Sequence, residues 1–440
     1  MEHEISEQML RDFRERLNGD TAASIARYAA SRSSLLDICY NSTQARKMNH
    51  MFSLEIPTMS ACDQERSGRC WIFAGVNLLR EKIGKALNLE SFQLSQNYIA
   101  FYDHLEKADS FYSHIIETAG KPLDDRELVA LLQLPVGDGG WWEYFVGICK
   151  KYGVCPLDAM PENDQSGDSE DMNLLLNMQL RKDAAVLRER IAEGISEEAL
   201  SELRTGMLRR VYRFLTICLG VPPETFDFEY VDKNKEYHAD RNLTPKAFYE
   251  KYFEKDLEQT VSILHAPVEG IPFYQTYVTP MEESICGKHR AKRLNLPMEE
   301  FKAAVIRQLQ AGEPVWFVCD CDYYFVPDDG VWDTGSFDFE TVFGLDLELD
   351  KGRLLQYRQT SLNHAMLLTG VNLVDGKPDK WKIENSWGTK KGKDGYYIMS
   401  DRWFDRYVFT ASIDWENLTE RQQALFRQEP VECPLWSVLA

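Results

Sequence analysis

The chain has 440 residues, of which 44% are hydrophobic and 27% charged, and this composition excludes a disordered protein. No apolar run reaches the roughly 20 residues that span a membrane, and the charged N-terminus lacks the apolar segment of a secretory signal, so we expect a cytoplasmic protein without a membrane partner. The formal charge of -20 disfavours nucleic acid as a partner, and we expect the one basic run, residues 287–294, to be a solvated face.

The first third of the chain predicts mostly helices, interrupted by one polar loop. Apolar residues recur at three- and four-residue steps within residues 1–50, and the loop over residues 53–69 is rich in serine and contains a proline and a glycine. A further helix is predicted to begin at Cys70, because Ile72 and Val76 start an apolar pattern at helical spacing.

The composition shifts near residue 161, where an acidic loop leads into a leucine- and arginine-rich stretch that predicts helices. Later residues form short β-like runs between glycine, lysine and aspartate turns. This order predicts an α+β chain with a helical lobe and a sheet lobe. We therefore expect three parts: residues 1–160 form the N-terminal arm and helical lobe, residues 161–265 a helical insertion, and residues 266–440 the β-rich lobe.

Ten cysteines without a CxxC pair predict reduced thiols rather than a disulfide framework. Cys319 and Cys321 lie in an alternating run that predicts a strand with both thiols on one face. Because no matching histidine or cysteine cluster occurs elsewhere, the pair does not predict a zinc site.

Cys70 stands between the polar loop and a helix, where a thiol can act as a nucleophile. Its thiolate would be favoured by the helix N-terminus and by a nearby imidazolium. His364 is the candidate imidazole, because it opens the apolar run NHAMLLTGV at the mouth of a predicted strand. Asn385, in WKIENSWG, would orient that ring by a hydrogen bond, which Trp387 would shield from water. Gln64, six residues before Cys70, would act with the Cys70 N–H as an oxyanion donor.

Taken singly, each of these residues has a structural explanation: a core thiol, a satisfied histidine or an Asn-Ser turn. Their joint order along the chain favours catalysis. The motifs Q-x-x-S-G-R-C-W, N-H-A-M-L-L-T-G-V and E-N-S-W-G resemble those of the papain-like cysteine peptidases, and most closely the branch of bleomycin hydrolase and bacterial aminopeptidase C. Segments such as LSQNYIAFYDHLEKA and KDGYYIMSDRWFDRYVF extend this resemblance over nearly the whole chain.

The resemblance implies a papain-like two-lobe fold with a helical insertion, and a cysteine aminopeptidase that acts on peptides with a free N-terminus. It implies Cys70 as nucleophile, His364 as general base and acid, Asn385 as the orienting residue and Gln64 as oxyanion donor, without a metal or organic cofactor. It also implies that a C-terminal arm lies in the cleft, where the Ala440 carboxylate would pair with the substrate's α-amino group, and that the chain forms a homo-hexamer. The segment PVECPLW departs from the ending of such relatives, which leaves the path of the arm open.

Two other functions stay open at this point. A broader endopeptidase or amide hydrolase of the bleomycin hydrolase type would follow if the C-terminal arm lay outside the cleft. An inactive peptide-binding scaffold would keep the fold without the chemistry, although the intact set of four catalytic candidates argues against it.

Overall fold

The computed structural model describes residues 4–253, 257–281, 283–285, 287–288 and 290–439. Within these residues the α-helices are α1 (Glu7–Leu17), α2 (Thr21–Ala30), α3 (Leu35–Cys39), α4 (Ser42–Ala45), α5 (Cys70–Ala86), α6 (Gln96–Glu117), α7 (Arg126–Gln133), α8 (Trp142–Tyr152), α9 (Asp164–Gly167), α10 (Glu170–Ala192), α11 (Glu197–Leu219), α12 (Pro245–Tyr252), α13 (Met298–Gln310), α14 (Phe339–Phe343), α15 (Lys351–Gln356), α16 (Asp401–Tyr407) and α17 (Glu420–Phe426). The β-strands are β1 (Leu54–Glu55), β2 (Phe226–Val231), β3 (Tyr237–Leu243), β4 (Thr260–Leu264), β5 (Thr276–Val278), β6 (Arg293–Asn295), β7 (Val315–Cys319), β8 (Phe325–Val326), β9 (Val331–Trp332), β10 (His364–Val374), β11 (Lys377–Glu384), β12 (Tyr396–Ser400), β13 (Val408–Asp414) and β14 (Val431–Glu432).

The helical lobe is organised around α5 and α6, whose residues are largely buried. Ser95 begins α6 by accepting a hydrogen bond from the Tyr98 N–H, as expected of a serine at a helix N-cap. Helices α8, α10 and α11 pack against this pair and share one apolar core with it. The predicted helix at Cys70 is thus confirmed, and its first turn lies against β10 of the other lobe.

A large mixed sheet forms the second lobe. Its strands follow the order β14-β5-β6-β4-β13-β7-β10-β11-β12-β9-β8, with β1 paired to β10. Strands β10 and β11 are antiparallel neighbours, with Leu367 opposite Glu384, so that the start of β10 and the end of β11 lie at the same edge. That hairpin brings His364 close to the residues that follow Glu384.

The predicted α+β class is confirmed, and two details of the sequence prediction are wrong. Strand β7 ends at Cys319, so Cys321 lies beyond the strand and does not share a strand face with it. The segment predicted as a helical insertion also contains the two-stranded sheet β2-β3. Its last strand, β4, pairs with β13 and β6 in the large sheet. The division of the chain into three parts stays a prediction.

Nine cysteines are free, and Cys286 lies outside the described part of the chain. Each described helix is too short or too polar to cross a bilayer.

Candidate active site

A cavity of about 430 Å³ lies where the helical lobe meets the large sheet. Cys70, Trp141 and the glycines of the turn at residues 137–140 line it from the helical lobe, and Asn363 and His364 line it from the sheet. The two residues predicted to exchange a proton, the thiol and the imidazole, therefore come from different lobes and meet in one cleft.

The thiol of Cys70 is presented by the first turn of α5. The N-cap residue, Arg69, makes no side-chain cap to the helix. Its guanidinium instead donates to both carboxylate oxygens of Glu162, at 3.1 and 2.7 Å, and to Ser67 Oγ at 3.0 Å. The N–H groups of the first turn are therefore not taken up by the cap side chain, and the positive end of the helix dipole lies at the thiol.

Two opposing effects act on the Cys70 thiol. Burial raises its pKa to about 11, whereas the backbone N–H groups of Ala365, Trp71 and Cys70 itself act in the opposite direction. The Ala365 N–H lies 3.4 Å from Cys70 Sγ. These donors stabilise a negative sulfur, so they favour the thiolate once a proton acceptor is present.

The imidazole of His364 is held from behind by two residues of the sheet lobe. Its Nε2 lies 2.9 Å from Asn385 Oδ1, and its ring stacks on Trp387 with the ring centres 5.0 Å apart. This hydrogen bond occupies Nε2 and leaves Nδ1 for proton exchange. Burial lowers the pKa of His364 to about 4, and the hydrogen bond that the ring donates to Asn385 acts in the opposite direction. Burial therefore favours the neutral form of both the thiol and the imidazole.

Gln64 is buried beside the nucleophile loop and joins the two lobes. Its Oε1 accepts a hydrogen bond from Ser386 Oγ at 2.6 Å, and its Nε2 donates to Ser67 O at 2.6 Å. One amide hydrogen is used in this way, and the side chain has a second one that these two contacts do not use. The oxyanion role of Gln64 stays a prediction.

The structure thus brings together the five predicted site residues that it describes: Gln64, Cys70, His364, Asn385 and Trp387. The sixth, Ala440, lies outside the described residues. The arm that leads to it is described. Leu435 lines the cavity, and Leu439 is buried at 2% exposure.

A buried charged network under the nucleophile loop was not predicted. Asp138 accepts hydrogen bonds from the Gly68 N–H at 2.7 Å and from Asn173 Nδ2 at 2.7 Å, and it lies 3.3 Å from His104 Nε2. Burial opposes its ionisation, but the His104 partner holds the pKa of Asp138 well below its usual range. The signal in the sequence was Asp138 itself, which stands inside the glycine turn at residues 137–140.

A second carboxylate organises the loop before His364. Asp320 is buried and accepts hydrogen bonds from Thr360 Oγ1 at 2.7 Å, the Ser361 N–H at 3.1 Å and Asn363 Nδ2 at 2.9 Å. These bonds fix the loop that delivers the imidazole to the cleft. In the sequence, nothing distinguishes this aspartate except its place beside the predicted strand around Cys319.

One histidine that the sequence did not single out also lines the cavity. His114 Nε2 lies 3.4 Å from Glu283 Oε1, and its Nδ1 lies 3.0 Å from Glu117 Oε2. Burial opposes protonation, but these two carboxylates raise the pKa of His114. The lining of the cavity therefore includes a histidine in contact with two carboxylates.

Among the described residues, one group could offer three ligand atoms to a metal ion: Asp232, Glu236 and His238, within 4.8 Å of one another at the turn between β2 and β3. Asp232 Oδ1 already accepts the Asn234 and Glu236 N–H groups of that turn. The group lies outside the lining of the Cys70 cavity, and its contacts are those of an ordinary turn.

Replacing Asn385 with alanine is expected to lower kcat/KM by about 10²-fold, because the imidazole loses the bond that orients it. The acid limb of the kcat/KM profile should move to lower pH, since the Asn385 hydrogen bond raises the pKa of His364 and its loss keeps the ring neutral to lower pH. A pH profile that is lowered uniformly, without a shift of that limb, would contradict the orienting role.

Comparison with known proteins agrees with this geometry. The Peptidase C1-like family model matches residues 4–440. Aminopeptidase C of Listeria monocytogenes is 38% identical over 436 residues, which cover 99% of this chain and 98% of that protein. Aminopeptidase G of Lactobacillus delbrueckii subsp. lactis is 38% identical over 440 residues, the whole of both chains.

A solved structure supports the same conclusion at the level of the fold. The crystal structure of PepW from Lactobacillus rhamnosis HN001 matches with a TM-score of 0.98 at 38% identity and covers 100% of this chain and 99% of that one. The resemblance found in the sequence is confirmed. The chain therefore belongs to the Peptidase C1-like family and is a cysteine aminopeptidase.

Proposed function

We propose that this protein removes N-terminal residues from peptides by acyl transfer through Cys70. The observation that carries the proposal is the meeting of Cys70 and His364 in one cleft, with Asn385 and Trp387 behind the ring. A thiol and an oriented imidazole in a shared cavity are what covalent hydrolysis of an amide requires.

The reaction has two halves. The proton of Cys70 passes to His364, and the thiolate attacks the scissile carbonyl carbon to form a tetrahedral intermediate. Its oxyanion is bound by the Cys70 N–H and by the amide of Gln64. His364 then protonates the leaving amine, and the same ring activates a water that hydrolyses the thioester. Apart from that water, every group that takes part in the reaction belongs to the chain or to the substrate.

The C-terminal arm would make the enzyme an aminopeptidase. Leu435 lines the cavity, and strand β14 pairs with β5 just before it, which supports an arm that reaches the cleft. In the proposal the terminal carboxylate, on Ala440, pairs with the substrate's α-ammonium group and blocks longer N-terminal extensions. If the arm left the cleft free, the same thiol would act as an endopeptidase or a broader amide hydrolase.

Sequential degradation of one unblocked peptide of about ten residues tests this function. Mass spectrometry of the products over time should show a ladder that shortens from the N-terminus by one residue per step. The N-acetylated form of the same peptide should stay intact. Internal fragments from either peptide would favour the endopeptidase alternative, and no products from either peptide would favour an inactive scaffold.

The proposal extends to assembly and location: a cytoplasmic homo-hexamer, composed of chains with the three-part division given above. Self-association is supported by α1, which has no buried residue although Met9, Leu10, Phe13 and Leu17 are apolar. A helix with an uncovered apolar face is typical of an interface. Sedimentation equilibrium should give six chains per particle, and a monomer at micromolar concentration would contradict the assembly.

A further inference from the structure

The basic run at residues 287–294 is only partly the solvated face that the sequence predicts, because Lys288 and Arg290 are exposed and the later residues of the run are not. Arg293 lies in β6 and is only 3% exposed, and Lys292 is half-buried. Three side chains of the run reach the last part of the chain, in these contacts: Arg290 Nη1 with Glu432 Oε1 at 3.1 Å, Lys292 Nζ with Gln428 O at 2.8 Å, and Arg293 Nη1 with Leu439 O at 2.8 Å.

A fourth cation holds the same segment from the side of the catalytic histidine. Arg358 Nη1 donates to Ser437 O at 3.2 Å, and its Nη2 donates to Trp436 O. Arg358 has a φ of 58° and stands six residues before His364, in the loop that Asp320 anchors. The arm is therefore tied to the loop that carries the imidazole.

The contacts extend to the wall of the cleft. The guanidinium of Arg293 lies 3.9 Å from the ring centre of Trp141, which lines the cavity beside Cys70. Arg293 thus bridges the Leu439 carbonyl and the cavity wall, and Leu435 lines that cavity from the arm itself.

We propose that Arg290, Lys292, Arg293 and Arg358 form a clasp that sets the position of the C-terminal arm, residues 428–439, in the cleft. Four of its five contacts with the arm go to backbone carbonyls, which any arm sequence provides. The unusual PVECPLW segment can therefore follow a defined path. The inference rests on the proposed function in one respect, since the arm limits substrate length only if the enzyme is gated by it.

The position of the arm can be measured without using activity. Carboxypeptidase Y trims exposed C-termini, and the mass of the intact chain reports each residue lost. We expect trimming of Arg293→Met and Arg358→Met to be about 10-fold faster than trimming of the wild type, because loss of a charge-assisted hydrogen bond raises the population of the released arm. Lys288→Met is the matched control, since Lys288 is exposed in the same basic run, and it should be trimmed at the wild-type rate.

Trimming at the wild-type rate in both arginine variants would overturn the clasp. If the buried Arg293→Met fails to fold, Arg358→Met carries the test, because Arg358 is exposed. A second measurement compares cleavage of an aminoacyl amide with cleavage of its N-acetyl derivative. The clasp variants should lose about 10-fold of the wild-type preference for the free amine, as expected when a positioned group moves by about 1 Å.

A variant lacking residues 436–440 separates the two claims. Unchanged preference in this truncated enzyme would reject gating by the arm, while the trimming rates would still decide the clasp. A different outcome would reject the clasp and leave the gating in place. In that outcome the truncated enzyme loses its preference for the free amine, whereas the arginine variants keep both the wild-type preference and the wild-type trimming rate.

Discussion

Replacing Cys70 with alanine is expected to lower kcat/KM for peptide hydrolysis by about 10⁴-fold or more, since a covalent mechanism loses its nucleophile. Affinity for a product-like peptide should change little, because the walls of the cleft are intact. The measurement is steady-state kinetics together with peptide binding by calorimetry. Hydrolysis that persists in Cys70→Ala at more than a small fraction of the wild-type rate would contradict the assignment.

Cys321 offers a matched control for this variant. It is a partly exposed thiol just beyond β7, the strand whose last residue, Cys319, lies opposite His364. Cys321→Ala should keep wild-type activity. Brief treatment with iodoacetamide followed by peptide mapping should place the modification that tracks with lost activity on Cys70. If the loss of activity followed modification of Cys321 instead, the assignment of Cys70 as the nucleophile would be wrong.

The second large effect is expected from a buried ion pair that joins the two lobes. Arg80, on α5, donates to Glu384 Oε1 at 2.8 Å, and Asn77 Nδ2 donates to the same oxygen at 2.9 Å. Both charged side chains are 1% exposed. Because Glu384 directly precedes Asn385, this pair couples the helix of the nucleophile to the residue that orients the imidazole.

Arg80→Met should lower the free energy of unfolding by about 3–5 kcal/mol, because it leaves the Glu384 carboxylate buried without its cation. Burial already raises the pKa of Glu384, and Arg80 opposes that rise. Without Arg80 the folded-state pKa rises further above the ordinary value of 4.5, so the penalty is absent below that pH and grows as the pH increases. Urea unfolding at several pH values measures both the loss in the free energy of unfolding and the direction in which that loss changes with pH.

Two further variants make this prediction specific. The double variant Arg80→Met/Glu384→Gln should be more stable than Arg80→Met alone at neutral pH, since the buried charge is gone. Arg241→Met removes an exposed pair with Asp227 and should stay close to the wild type. If the free energy of unfolding of Arg80→Met fell only slightly, or fell by the same amount at every pH, a structural role for the pair would be contradicted.

The residues of the candidate active site could be brought together from sequence because each stands in a short local motif. Cys70 begins an apolar helical pattern, and His364 and Asn385 stand at adjoining ends of two successive β-like runs. When such runs pair as antiparallel neighbours, those ends meet, as β10 and β11 do. Local pattern and simple topology were therefore sufficient to place the imidazole and its orienting amide together.

The supporting residues could not be predicted because their partners are far away in sequence. Asp138 accepts from a backbone N–H 70 positions earlier, and Arg293 donates to a carbonyl 146 positions later. Neither the amide of Gly68 nor the carbonyl of Leu439 is distinguished by residue type. A carboxylate or guanidinium that binds backbone atoms has no complementary side chain elsewhere in the sequence. For this reason the residues of the basic run predict a solvated face.

The sheet β2-β3 was missed for a different reason. Its first strand, FDFEYV, alternates apolar and acidic residues, the pattern of a half-buried strand. It follows two 23-residue helices, α10 and α11, whose composition dominated the interpretation of the whole segment. The two-residue alternation of FDFEYV indicates a strand, but the average composition of the whole segment indicates helices.

The most direct test of a thiol aminopeptidase gated by its own C-terminus compares two cleavage rates. A fluorogenic aminoacyl amide with a free α-amino group is compared with its N-acetylated twin, with Cys70→Ala as the blank. Cleavage of the free amine alone, absent in the blank, is the predicted result for a thiol aminopeptidase whose cleft is closed by its own C-terminus. Equal cleavage of both substrates would contradict the gating, and cleavage that survives in Cys70→Ala would contradict the mechanism.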